Sequence, residues 1–73
     1  MDEKLFYKSL GTRIKYLREN AHLTQEKLAE KAGISLDYLG KIEVNISKPG
    51  LKALIKIANA FQIPIKSLFD FDK

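Results

Sequence analysis

Phe6, Leu10, Ile14 and Leu17 recur at spacings of four, four and three, so their side chains line one face of a helix. The pattern predicts a first helix over about Lys4 to Asn20. Asn20-Ala21-His22 closes it, because Asn and His tolerate the left-handed backbone found at helix ends. His22 reads as structural or exposed, since it has no second ligand or base near it in sequence.

Thr24 offers a side-chain oxygen to the free amides of a second helix, about Gln25 to Lys31, whose inward stripe is Leu28, Ala29 and Ala32. Gly33 ends that helix. Ser35 caps a third, Leu36 to about Val44, with Leu39, Ile42 and, at the margin, Glu43 on its inner side. Asn45 to Pro49 is a polar connection. A fourth helix follows, about Leu51 to Phe61, with Leu51, Leu54, Ile55, Ala58 and Phe61 expected to be buried. Gln62-Ile63-Pro64 turns the chain into a last short helix ending near Phe69, with Pro64 in its first turn. There is no hairpin signal, repeat or low-complexity tract. The expectation is an all-α single domain of five helices over residues 1–73.

Composition narrows what such a domain does. A chain of 73 residues, 45% hydrophobic and 30% charged, has the make-up of a folded protein but no room for a separate ligand-binding domain. No small-molecule ligand or cofactor is therefore expected. Without cysteine, neither disulfides nor a thiolate zinc site reinforces the core. No apolar run approaches the ~20 residues that cross a bilayer, and Met1-Asp2-Glu3-Lys4 lacks a signal-peptide pattern, so no membrane association and a cytoplasmic location are expected. A formal charge of +4 and a pI near 9.4 favour a polyanionic partner.

The informative constellation lies in the middle of the chain. Two short helices joined by a tight glycine turn bring their backbones close, and the second leaves at a steep angle. Ala29 has nothing beyond its β-carbon to hold the helices apart, Gly33 takes positive φ without steric cost, and Leu39 and Ile42 fill the space between. The alternative, a helical hairpin in an unrelated bundle, must also account for Leu28 and Ile34 at fitting positions.

Ile14, Leu17 and Arg18, then Leu23-Thr24-Gln25-Glu26-Lys27-Leu28-Ala29, Gly33-Ile34-Ser35, Leu39, Ile42-Glu43, Pro49 and Leu54-Ile55-Lys56-Ile57-Ala58 together resemble one family. It is the Cro and phage-repressor (XRE) type of helix-turn-helix regulator, and the resemblance covers about Leu10 to Phe69. It departs at Asn45, where glycine is usual, at Gly50, where serine often caps the fourth helix, and at Gln62 and Pro64. The resemblance implies a five-helix lambda-repressor-like fold and a sequence-specific transcriptional regulator or repressor of double-stranded DNA, with the helix-turn-helix at helices 2 and 3. It also implies that Gln25 contacts phosphate at a helix start, a place where unpaired amides attract anions anyway.

Helix 3 has a second face made of Leu36, Asp37, Gly40 and Lys41, opposite Leu39 and Ile42 and free to enter a major groove. Leu36 suits a thymine methyl, Lys41 suits guanine acceptors or phosphate, and Gly40, costly in a helix interior, suits close approach. Asp37 either accepts from a cytosine amino group or favours its helix N-terminus. Ser35 and Tyr38 border this surface with hydroxyls that reach toward a backbone, partial burial being the other reading of Tyr38. Arg13 and Lys48 are expected to add phosphate contacts. Arg18 and Glu43 each border an inward face, where a half-buried carboxylate needs a charge-assisted partner. The family commonly pairs these positions, so they read as a structural ion pair, with Arg18 also within reach of phosphate.

No nucleophile-base set, metal-spaced cluster or phosphate loop is present, so an enzyme is not expected. One helix-turn-helix reads only part of a site, and two-fold pairing is the usual remedy. A homodimer interface is expected at Ile57, Ile65, Phe69 and Phe71, rimmed by Lys56, Lys66, Asp70 and Asp72. The competing function is a protein-docking module of the same fold, such as an antitoxin or the accessory subunit of a complex.

Overall fold

The computed structural model describes residues 1–71. Its elements are α1 (Glu3–Asn20), α2 (Gln25–Ala32), α3 (Leu36–Glu43), α4 (Leu51–Phe61) and a 3-10 turn, Ile65–Phe69. There are thus four α-helices among the described residues, and the expected fifth is a single 3-10 segment. Pro64 stands just before it with extended backbone, and Ser67 N–H closes back onto the Pro64 carbonyl at 2.9 Å. Five residues are too few to repay the nucleation of an α-helix, and the tighter hydrogen-bonding pattern suits so short a piece.

α1, α2 and α3 each start where a side chain takes up a free amide, whereas Gly50 opens α4 with no side-chain cap. Asp2 accepts from Leu5 N–H at 2.7 Å, which sets the start of α1 one residue ahead of the expected Lys4. Thr24 accepts from Lys27 N–H and Ser35 from Tyr38 N–H, both at 3.0 Å. Left-handed residues follow the helix ends: Gly33 at φ 72°, Gln62 at φ 58°, and just beyond α1 and α3, His22 at 59° and Asn45 at 64°. Asn45 thus does the work of the glycine expected from the family pattern.

Leu10, Ile14, Leu28, Leu39, Ile42, Ile57 and Leu68 are fully buried and drawn from every element. α3 lies against both α1 and α2, α4 against α2, and the 3-10 turn bridges α1 and α4. The inward stripe of α4 corrects the expectation. Ala53, Leu54, Ile57 and Ala58 are buried, whereas Leu51 is 66% and Ile55 45% exposed. α4 carries apolar residues around most of its circumference, so periodicity alone does not choose a face; contact with α2 and the 3-10 turn does.

Gly11 is a packing residue that the sequence reading missed. A β-carbon there would overlap the Ile42 carbonyl oxygen and lie 3.1 Å from that of Glu43, so α1 crosses the end of α3 backbone to backbone. The signal was available: a glycine inside a helical pattern, with no turn beside it, marks a close approach.

Candidate nucleic-acid interface

The α2–α3 unit is built around the Gly33 turn. Gly33 N–H and Ile34 N–H both return to the Ala29 carbonyl, at 2.9 and 3.1 Å, satisfying the end of α2 while the chain reverses. Ala29, Leu39 and Ile42 close the angle between the helices, at most 3% exposed. One side of α3 is thereby held against the core and the other is left in solvent.

On that outer side Leu36 is 47% exposed. Asp37 and Lys41, one turn apart, form an ion pair of 3.0 Å with both side chains largely in solvent. A β-carbon on Gly40 would meet only Gln25 Oε1, at an ordinary 3.7 Å. Packing within the chain therefore does not demand glycine at this position. Ser35 uses its hydroxyl as the cap of α3. Tyr38 is half-buried and packs against the core, lining a shallow groove with Ile34, Gly50, Ala53 and Lys56, so partial burial is the reading that fits it.

Beneath this surface lies a charge network. Arg18 Nε donates to Glu43 Oε2 at 2.8 Å, Nη2 to Oε1 at 3.1 Å, and Nη1 to the Leu23 carbonyl at 2.8 Å. Side-chain exposures of 11% for Arg18 and 1% for Glu43 make this a structural pair, as expected. Hydrogen bonding to Glu43 holds the Arg18 guanidinium above its ordinary pKa, against the opposing effect of burial. All three Arg18 nitrogens donate within the protein, using three of the five guanidinium N–H groups. Gln25 completes the network, its Nε2 donating to Glu43 Oε1 at 3.0 Å. That last bond was not read from the sequence.

Arg13, expected near phosphate, is largely buried and hydrogen-bonded within the chain. It is only 9% exposed, with Nε donating to the Ser67 carbonyl at 3.0 Å and its guanidinium 5.6 Å from the Tyr16 ring centre. It ties α1 to the 3-10 turn through this hydrogen bond. Lys48 stays exposed but is engaged, 2.7 Å from Glu3 and 5.5 Å from the Tyr7 ring centre. The Glu3 hydrogen bond raises the Lys48 pKa and the Lys48 ammonium lowers that of Glu3.

Of the residues expected at a dimer interface, Ile57 is fully buried in the chain's own core and is unavailable. Phe69 stacks on Phe6 at 5.9 Å, and Phe71 meets Phe6 edge-on at 5.6 Å, so both find partners within the chain while remaining half-buried. Ile65 is half-buried as well. Asp72, of the expected rim, lies outside the described residues. No described helix is long and apolar enough to cross a membrane.

Comparison with known proteins places this geometry. The helix-turn-helix family profile matches residues 14–68. The immunity repressor protein of Bacillus phage phi105 is 40% identical over 60 residues, covering 82% of this chain and 42% of the repressor. An uncharacterised HTH-type transcriptional regulator of Archaeoglobus fulgidus is 37% identical over 64 residues, 88% of this chain and 90% of the regulator. The chain spans 42% of the length of the phage and Mycobacterium tuberculosis relatives that it matches. Among solved structures, the restriction-modification controller protein C.AhdI of Aeromonas hydrophila superposes with a TM-score of 0.84 at 32% identity, covering 86% of this chain and 96% of the controller. With the profile running from α1 into the 3-10 turn, and the capped helix pair, Gly33 turn and Arg18–Glu43 pair all in place, this chain belongs to the XRE-type helix-turn-helix family.

Proposed function

We propose that this protein is a cytoplasmic transcriptional regulator that binds double-stranded DNA sequence-specifically and acts by binding, not by catalysis. Two copies place α3 in successive major grooves of a palindromic operator. The observation that carries this reading is the solvent face of α3, where Leu36, Asp37 and Lys41 stand clear of the core beside a Gln25 amide oriented by Glu43. A recognition helix needs such a face, with side chains near its N-terminus that present donors, an acceptor and an apolar group to base edges. The relatives support it: one is a phage immunity repressor and another a restriction-modification controller.

Pairing supplies the second half-site, centred about 34 Å from the first. Ile65, Phe69 and Phe71 remain candidates for the contact, and Leu51 and Ile55 are further apolar residues left exposed on α4.

The test is selection of bound fragments from genomic DNA, followed by gel shifts of the selected sequence across a range of salt. A motif that outcompetes bulk DNA supports the reading, with affinity falling as salt rises. If no sequence outcompetes bulk DNA, the regulator reading fails.

A further inference from the structure

We infer that Asp37 and Lys41 act together as a single reader of one G·C base pair in each half-site, Lys41 over the guanine and Asp37 over the cytosine. The inference rests on the proposed placement of α3 in the major groove and names the base pair read there.

The two side chains are held as a donor beside an acceptor, Nζ to Oδ2 3.0 Å, on the exposed side of α3. In the major groove a G·C pair presents the complementary pattern: the guanine N7 and O6 acceptors next to the cytosine N4 amino donor. O6 and N4 are themselves hydrogen-bonded, hence about 2.9 Å apart, which matches the spacing of the ion pair. The ammonium group has three donors and so spans N7 and O6 while keeping Asp37, and the carboxylate has a free lone pair for N4–H. An A·T pair also sets a donor beside acceptors, but its N7 and O4 lie on opposite sides of the amino group, so the ammonium reaches one where guanine offers two together.

Charge explains why the two residues belong together. A lone carboxylate on a DNA-facing helix is repelled by phosphates and by the acceptor edges of guanine and thymine. Lys41 cancels that charge, and what remains of Asp37 is its ability to accept a hydrogen bond. Asp37 lies in the first turn of α3, the part of a recognition helix that meets base edges. An acid in the first turn with a lysine one turn later also steadies the helix itself. Helix stabilisation leaves base preference untouched, and that difference separates the two roles.

The experiment selects bound sequences from randomised duplexes with the wild type, Asp37→Asn and Lys41→Met, each checked for native helicity. Asp37 has a side-chain exposure of 77%, so its replacement leaves the core intact. The expected result is a wild-type half-site containing a G·C pair whose reversal or replacement by A·T weakens binding roughly tenfold or more. Both variants then lose the preference at that pair alone and keep the rest of the motif. Variants that select the wild-type motif unchanged, or that alter the preference only at an A·T position, overturn the inference while leaving the regulator reading intact. A wild type that selects no motif overturns both.

Discussion

Gly11 and Ile42 meet backbone to backbone: a β-carbon on Gly11 would overlap the Ile42 carbonyl oxygen at the end of the helix-turn-helix. α1 is therefore seated directly on the segment that carries Glu43. Gly11→Ala gains about 1 kcal/mol of helix propensity but forces the two backbones apart, an overpacking cost that reaches about 3 kcal/mol. Urea unfolding is expected to show a net destabilisation of roughly 2 kcal/mol, where an exposed helical glycine would give a gain.

The Arg18–Glu43 pair separates folding from positioning. Glu43→Ala strands a guanidinium that is 11% exposed and is expected to cost roughly 3 kcal/mol in urea unfolding. The double variant Arg18→Met, Glu43→Leu removes both charges at similar volume and is expected to recover most of that stability. It does not restore the acceptor for Gln25, so its affinity for the selected operator stays below that of the wild type in gel shifts.

Arg13 holds the C-terminal segment through the Ser67 carbonyl. Arg13→Met keeps most of the buried stem and removes one charge-assisted hydrogen bond, so a loss of about 2 kcal/mol is expected on urea unfolding. The slope of log affinity against log salt is expected to equal that of the wild type, since a phosphate ligand would reduce it by about one on removal.

Glu3 and Lys48 give a pH-dependent contact. The Glu3 carboxyl lies below its ordinary pKa, chiefly through the Lys48 hydrogen bond. A depressed folded-state pKa means that the contribution of the pair is present at neutral pH and is lost as pH falls through the lowered value. An NMR titration of the Glu3 side chain is expected to show the depression in the wild type and its disappearance in Lys48→Met. Both groups are exposed, and 1 M salt is expected to shrink the shift.

Self-association is the remaining test of the two-copy arrangement. Sedimentation equilibrium at tens of micromolar is expected to show dimer for the wild type and a shift toward monomer for Phe71→Ser. A wild type that stays monomeric, with no shift on substitution, leaves pairing on DNA as the only route to a palindromic site. Because Phe71 also meets Phe6, the helicity of the variant is checked alongside.

By itself the sequence determined what depends on neighbours along the chain. Thr24 and Ser35 cap helices because their oxygens reach amides three residues on, as Asp2 also does although it was not read as a cap, and Gly33, His22 and Asn45 take left-handed backbone that few other residues tolerate. The spacing of Leu28, Ala29, Gly33, Leu39 and Ile42 was enough to place the helix-turn-helix; the inward position of Glu43 called for a charged partner, and the family resemblance named Arg18. Tertiary structure alone decided the rest. Arg13 and Ser67 are 54 residues apart, and only the packed chain brings that carbonyl to that guanidinium. The face of α4 was settled by its neighbours, which buried Ile57 and left Leu51 and Ile55 in solvent, since an apolar pattern that nearly encircles a helix holds no direction. Gln25 was legible as the first residue of α2, but its bond to Glu43 needed the crossing of α2 and α3 to be known. Periodicity tells which side of a helix is apolar; which partner meets that side is a property of three dimensions.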